Sequence, residues 1–316
     1  MSLESPLVSI IIAAYNAQKY IEKCLHSCLE QTHRNIEIIL VDDGSKDDTV
    51  ALAQNLATDS RMRIVRNESN LGTFEARLVG LHNAQGDFVA FVDSDDHIAP
   101  EFCEAMLAEF AQKGDGIDMV ACQYFVEPVG VLRHTCTNLY ETLLGSQIWK
   151  LYRTAALRGA SALCARILAS YDTRELVGLE DVLFSLFLLP SVRDFGYVAA
   201  PLYFYADNPE SMTRLPSIRY CASAARSLAL VETVLCSPAY KIPPAADDYL
   251  RAFLMHTKYN FYIYQRHNAE LICLDGSIQT RFVYLKALMH AACFEKRLRC
   301  MLRALGYCAT FGAIKR

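Results

Sequence analysis

The segment FVAFVDSDDHIAP, from Phe88 to Pro100, runs an apolar stretch directly into Asp93, Ser94, Asp95 and Asp96, three of them carboxylates. Carboxylates this close repel one another and raise each other's pKa unless a cation stands among them. A solvated loop accounts for an arbitrary acidic triplet. At the carboxyl end of a buried strand the triplet has a second meaning, because open α/β sheets bind their ligands outside that edge. A further acidic pair, Asp42 and Asp43 in VDDGS, ends another apolar run, and a third, Glu180 and Asp181, opens GLEDVLFSLFLL.

The elements that must hold these acids follow from periodicity. Leu7 to Ile12 and Ile36 to Val41 are continuous apolar runs too short for helices; MRIVR at 62–66 and FVAFV at 88–92 add a third and a fourth strand. Between them, Tyr20, Ile21, Cys24, Leu25, Cys28 and Leu29 repeat at helical spacing, with Asn16 expected as N-cap. Ser45 is expected to cap a second helix with Asp47 and Asp48 in its first turn, and Thr73 to open a third. Strands alternating with helices predict an α/β fold, a mainly parallel sheet with helices on both faces. Asp42 and Asp93 then reach the same sheet edge. A helix to about Gln112, a strand from Ile117 to Tyr124, a helix from Glu180, one or two extended segments in FGYVAAPLYFY and a turn at DNPES follow. Beyond Pro216 the strands fade. The expected division is an α/β unit over residues 1–215 and a helical C-terminal region over 216–316.

With 316 residues, 53% of them apolar, the chain can bury one large core and carry an appendage. The formal net charge of -4 argues against nucleic acid as a partner, but the charge is uneven. Residues 281–316 hold eight Lys/Arg against one Glu. There Lys296, Arg299 and Arg303 share one helical face, and Leu298, Leu302 and Leu305 another. Such a basic amphipathic segment suits either peripheral contact with an anionic membrane or a helix packed by its leucines on the rest of the protein. Twelve cysteines without a Cys-x-x-Cys pair read as buried reduced thiols, which predicts a cytoplasmic protein, in the membrane case on the inner face. LVSIIIAAY lacks the basic start of a signal peptide, and no run approaches 18 apolar residues. AAYNAQKY after the first strand contains no glycine, which argues against a sugar nucleotidyltransferase and a dinucleotide oxidoreductase.

SIIIAAYN, VDDGSKDDT, NLGTFEARLVGLHNAQGDFVAFVDSDD and GLEDVLF, in this order, resemble the motifs of glycosyltransferase family 2, enzymes of GT-A fold. The resemblance spans about residues 7–214. It implies inverting transfer of a sugar from a nucleotide-diphosphate donor, a UDP-sugar by preference, to the hydroxyl of a saccharide or lipid-linked acceptor, as in bacterial cell-surface polysaccharide or lipopolysaccharide synthesis. Negative charge builds on the departing diphosphate, and a hard cation, Mn²⁺ or Mg²⁺, counters it. By resemblance Asp95 is the direct metal ligand, Asp93 a metal or ribose contact and Asp96 a secondary ligand, and Ser94, the middle residue of the DXD pattern, is a nucleotide-sugar contact. Asp42 resembles the carboxylate that accepts the uracil N3 proton, although a turn-capping role competes; Asp43 is read as a turn cap. Ala14, Tyr15, Asn67 and Arg77 resemble residues lining the nucleotide and diphosphate.

Asp181 resembles the general base, whose proton acceptance the high pKa of the acceptor hydroxyl demands. Glu180 and Asp181 also suit a helix N-terminus on electrostatic grounds alone. Glu180 and Trp149 are acceptor-side candidates, Trp149 being either a stacking platform or core. Ser211 and Arg214 resemble residues of a segment closing over the diphosphate. His97 reads as a loop residue, since a metal holding phosphate favours oxygen donors. Ala13 stands where the family usually has proline, and the asparagine usual after Trp149 is missing. A sugar-nucleotide-binding protein without catalysis is the competing function, and the acids kept at both metal and base positions argue against it.

Overall fold

The structure, a computed structural model, describes residues 5–128, 131–133, 138–211 and 218–267. Arg214 and the basic segment 281–316 lie outside the described residues. The chain begins with β1 (Val8–Ala14), α1 (Ile21–Leu29), β2 (Ile36–Asp42), α2 (Thr49–Leu56), β3 (Met62–Arg66), α3 (Thr73–Asn83) and β4 (Phe88–Asp93). It continues with β5 (His97–Ile98), α4 (Phe102–Lys113), β6 (Met119–Val126), β7 (Val131–Arg133), α5 (Leu139–Leu143), β8 (Lys150–Arg153) and α6 (Thr154–Leu168). Last come α7 (Glu180–Leu188), β9 (Phe195–Tyr205), α8 (Ile218–Cys236) and α9 (Asp247–His267).

The strands form one sheet in the order β3-β2-β1-β4-β8-β6-β9-β5, with β7 paired to β6. The first four are parallel, and their register sets Ala14 beside Asp42 and Ala13 beside Asp93. Both acidic strand ends therefore emerge at one edge. Beyond β4 the sheet is mixed: β8 runs antiparallel to β4 and β6, while β6 and β9 are parallel. FGYVAAPLYFY is a single strand, with register shifts opposite Cys122 to Tyr124.

Alternation along the strands feeds two cores. Ile10, Ile12, Ile38, Leu40, Ala90 and Val92 face α1, α2 and α4, whereas Ile11, Ile39, Val41, Val89 and Phe91 face α3, α6 and α7. A sheet buried on both faces needs the near-continuous apolar strands seen in the sequence. The second core also takes in Leu230, Val231 and Val234 of α8 and Leu250 and Leu254 of α9. Cys24, Cys28, Cys103, Cys122, Cys164 and Cys221 are buried free thiols. No helix among the described residues is long and apolar enough to cross a membrane.

Two expected caps are corrected. Asn16 takes a left-handed φ of 53° at the end of β1, and its Oδ1 accepts from the Lys46 amide at 2.8 Å. Its own amide donates to Ser45 Oγ at 3.0 Å. These side chains tie the loops after β1 and β2 together instead of capping helices. α1 starts after Tyr20 and α2 after Asp48, neither with a side-chain cap from those residues.

Candidate active site

Arg77 of α3 is 3% exposed and stands between two acids from distant parts of the chain. Its Nη2 donates to Asp93 Oδ1 at the end of β4 (2.8 Å), and its Nη1 to Asp181 Oδ1 in the first turn of α7 (2.5 Å). Burial opposes the charge of a guanidinium, but Asp181 and Asp93 outweigh it and raise the Arg77 pKa above its ordinary value. Asp93 is pushed up by burial, which Arg77 opposes and the Asp95 and Asp181 carboxylates reinforce. The approach of α3 depends on Gly72 before it, at φ 91°. A Cβ there would lie 2.7 Å from the Leu176 amide nitrogen, so only glycine lets the segment leading to α7 pass this closely.

Asp181 has a second support. Ser146 Oγ donates to its Oδ2 at 3.2 Å, and Ser185 Oγ donates to its backbone carbonyl at 2.7 Å. Behind them Gln147 Nε2 reaches Ser185 Oγ at 2.8 Å, and Tyr152 Oη donates to Gln147 Oε1 at 2.7 Å. Lys150, fully buried, donates to the Ser146 carbonyl at 2.5 Å with its Nζ 4.6 Å from the Trp149 ring centre. Reasoning from spacing missed this network. Its only signal is the run of polar residues among apolar ones in SQIWKLY, which names no partner. Glu180, although its side chain keeps some solvent contact, is pushed up to about 8 by burial and by the Asp181 carboxylate, against the opposing Arg77. At neutral pH Glu180 is therefore mostly in its neutral form.

The three acids of the DSDD loop divide by role. Asp96 is 2% exposed, and its oxygens accept from Tyr203 Oη (2.7 Å) and the Ala206 amide (2.9 Å) of the β9 end. The expectation of a secondary metal ligand is corrected: Asp96 fastens the loop to β9, and burial together with Asp93 and Asp95 raises its pKa well above the carboxylate range. Asp95 accepts from Asn208 Nδ2 at 2.8 Å, and Ser94 beside it is half-buried. Asn208 belongs to a strap over this edge, held by Tyr20 Oη on Asn208 Oδ1 (3.2 Å) and by Lys19 on Glu210 (2.7 Å). The Ser211 amide donates to the Asn208 carbonyl at 3.2 Å. The expectation of a loop residue at His97 is corrected: His97 lies in β5, opposite Phe204 of β9, and its ring stacks on that of Phe204 at 4.9 Å. Among the described residues no group of three or more His, Cys, Asp or Glu side chains is arranged to hold a metal. Two carboxylates with oxygen acceptors to spare suit Mg²⁺ or Mn²⁺, which take few protein ligands and complete their shell from phosphate and water.

At the other end of the edge, Asp42 is fully buried; its Oδ1 accepts from the Ser45 amide (3.1 Å) and its Oδ2 faces Arg66 Nε (3.3 Å). Asp43 accepts from Asn67 Nδ2 and the Leu71 and Gly72 amides at 2.8–2.9 Å. It thereby fixes Asn67 and the entry to α3. Ala14 is buried and Tyr15 is 40% exposed at the rim. Trp149 is 5% exposed and packs against Tyr124 at 5.6 Å, so its ring serves the core in this arrangement and offers no open face for an acceptor.

Residues 9–165 match the family described as Glycosyl transferase family 2. The chain is 35% identical over 251 residues to EpsH of Bacillus subtilis (strain 168), covering 73% of this chain and 69% of EpsH. Among solved structures, residues 1–349 of TarS from S. aureus in complex with UDP-GlcNAc share the fold. The TM-score is 0.63 at 19% identity, covering 93% of this chain and 83% of that one. The mannosyltransferase PcManGT from Pyrobaculum calidifontis, in complex with GDP-Man and Mn²⁺, has a TM-score of 0.55 at 17% identity, covering 99% and 88%. The chain belongs to glycosyltransferase family 2 and has the GT-A fold of that family.

Proposed function

We propose that this glycosyltransferase moves a sugar from a UDP-sugar to an acceptor hydroxyl with inversion, Asp181 acting as general base. Asp93 and Asp95 would hold a divalent cation, Mn²⁺ or Mg²⁺. The observation that carries this reading is the placement of Arg77 between Asp93 and Asp181, at 2.8 and 2.5 Å. Inversion requires the attacking hydroxyl and the leaving phosphate on opposite faces of the anomeric carbon. Two carboxylate positions spaced by one guanidinium supply two such sides.

On the phosphate side, the cation that Asp93 and Asp95 would hold would supply positive charge against the diphosphate as it leaves. Arg77, locked in its charged form by two acids, adds a fixed positive group there. On the other side, Asp181 is 29% exposed and kept in place through both oxygens, by Arg77 and Ser146. It takes the acceptor proton as the new carbon–oxygen bond forms, while the old bond's electron pair leaves with the phosphate. Tyr15 at the rim, Asn67 beyond β3 and the buried Asp42 mark the nucleotide end. The UDP-GlcNAc complex of TarS supports uridine over guanosine, for which the PcManGT complex is the counter-example. A bacterial surface saccharide or its lipid-linked precursor remains the proposed acceptor.

Incubating the protein with a panel of UDP- and GDP-sugars plus Mn²⁺, scored by released nucleoside diphosphate, tests this. Release from a UDP-sugar that EDTA suppresses is expected. Release only from a GDP-sugar, or equal release with EDTA, contradicts the donor or the metal assignment respectively.

A further inference from the structure

The segment that delivers Glu180 and Asp181 is not held by α7 itself. Leu179, the residue before the helix, is left-handed at φ 57° and ψ 18°, a conformation a leucine adopts only when its surroundings impose it. Those surroundings come from α8. Ser223 Oγ, on a residue 4% exposed, accepts from the amides of both Val177 (2.8 Å) and Gly178 (3.2 Å). One turn later Ser227 Oγ, fully buried, donates to the Gly178 carbonyl at 2.7 Å. Serines at i and i+4 share a helix face, so one stripe of α8 satisfies three polar groups of two consecutive residues.

The contact has no room to shift. A Cβ on Gly178 would sit 3.0 Å from the Tyr220 carbonyl oxygen and 3.1 Å from its ring. The Leu179 side chain packs into the small cluster of Cys221, Ala224 and Phe261 that joins α8 to α9. On its opposite side the same segment lies against the start of α3, where the Phe74 amide reaches the Leu176 carbonyl at 3.5 Å. It is therefore pinned between the helix that carries Arg77 and α8, which lies outside the 9–165 family match.

We infer that α8 is a positioning element of the catalytic centre, in which Ser223 and Ser227 fix residues 177–179 so that Asp181 stands against Arg77 and Ser146. The inference rests on Asp181 being the general base. The helical C-terminal region is then part of the machinery, and Ser223 and Ser227 act through Asp181 without touching substrate.

Ser223→Ala and Ser227→Ala of the full chain provide the test. Without any donor, hydrogen exchange of Ser223→Ala should speed up at residues 177–182 while the β4 segment 88–93 keeps its protection; unchanged exchange at 177–182 overturns the inference. With the nucleotide sugar selected by the panel, kcat should fall roughly 10- to 100-fold, the scale of a displaced reacting group. KM for that donor should stay within about twofold, and so should the affinity and stoichiometry of UDP binding with Mn²⁺, which sets partial unfolding aside as the cause. Ser227→Ala, which leaves both amides on Ser223, should show a smaller loss of the same kind. If Asp181→Asn is inactive while both serine variants keep the wild-type kcat, the inference is wrong and the base assignment survives. If Asp181→Asn retains wild-type transfer, the base assignment itself falls.

Discussion

The Arg77 guanidinium donates at 2.5 Å to Asp181 and at 2.8 Å to Asp93, so one buried cation ties the first turn of α7 to the end of β4. Both acids keep about a third of their side-chain surface in solvent, 29% and 32%, while Arg77 keeps almost none. Ligands can thus reach the carboxylates, and the charge between them stays fixed.

Removing that charge leaves two acids facing each other in a partly buried corner. Arg77→Ala is expected to lower unfolding stability by about 3 kcal/mol or more and to abolish transfer. Arg77→Lys restores the charge but not the two-pronged geometry, so it should recover part of the stability and little of the activity. Urea unfolding beside nucleotide release measures both; a fully active Arg77→Lys contradicts the need for a bridge.

Asp181→Asn keeps the shape of the carboxylate and loses its capacity to take a proton. Transfer should fall by roughly 10²-fold or more, with UDP affinity in the presence of Mn²⁺ close to wild type. Retention of more than about a tenth of the rate points to another base, and Glu180 is the neighbouring acid.

The acidic loop predicts two separable phenotypes. Asp95→Asn should remove most of the Mn²⁺-dependent gain in UDP affinity seen by calorimetry, with little change in melting temperature. Asp96→Ala should do the reverse, costing about 1–3 kcal/mol through the lost partners of Tyr203 and Ala206 while the metal dependence persists. Identical behaviour of the two variants contradicts the division of roles.

Glu180 gives stability a pH dependence of known sign. Its folded pKa of about 8 lies above the ordinary 4.5, so between those values the native state holds a proton that the unfolded chain has released. Its contribution is complete below about pH 4.5, declines as pH rises and is gone above about pH 8. The ceiling is about 1.4 kcal/mol per pH unit, and the partial solvent contact of the side chain reduces the total to about 1–2 kcal/mol. Glu180→Gln should flatten this part of the stability curve measured by urea unfolding from pH 5 to 8.5. An unchanged slope assigns it to other groups.

What could be read from the chain alone was local. Apolar runs such as Ile36 to Val41 form buried strands because a strand's two faces need only neighbours of the right kind, and its length and composition reveal both. The helices of Cys24 and Cys28 and of Phe74 to Leu81 show themselves by apolar spacing for the same reason, while the helix from Glu180, buried on all sides over Val182 to Leu188, is marked only by the two acids that open it. With the strands parallel, Asp42 and Asp93 had to reach one edge, and motif order supplied the family. Polar side chains were another matter. Asn16 and Ser45 have good capping chemistry, yet they bind each other, since the loops after β1 and β2 are adjacent only in the folded sheet. The resemblance ranks Asp95 above Asp96 in DSDD, but nothing in the sequence shows Asp96 buried against Tyr203. The pairing of Arg77 with Asp93 and Asp181, the support of Asp181 by Ser146, and the hold of Ser223 and Ser227 on Val177 and Gly178 depend on which distant segments meet. A hydrogen-bonding group accepts many partners, and only the packing of β4, α3, α7 and α8 selects one.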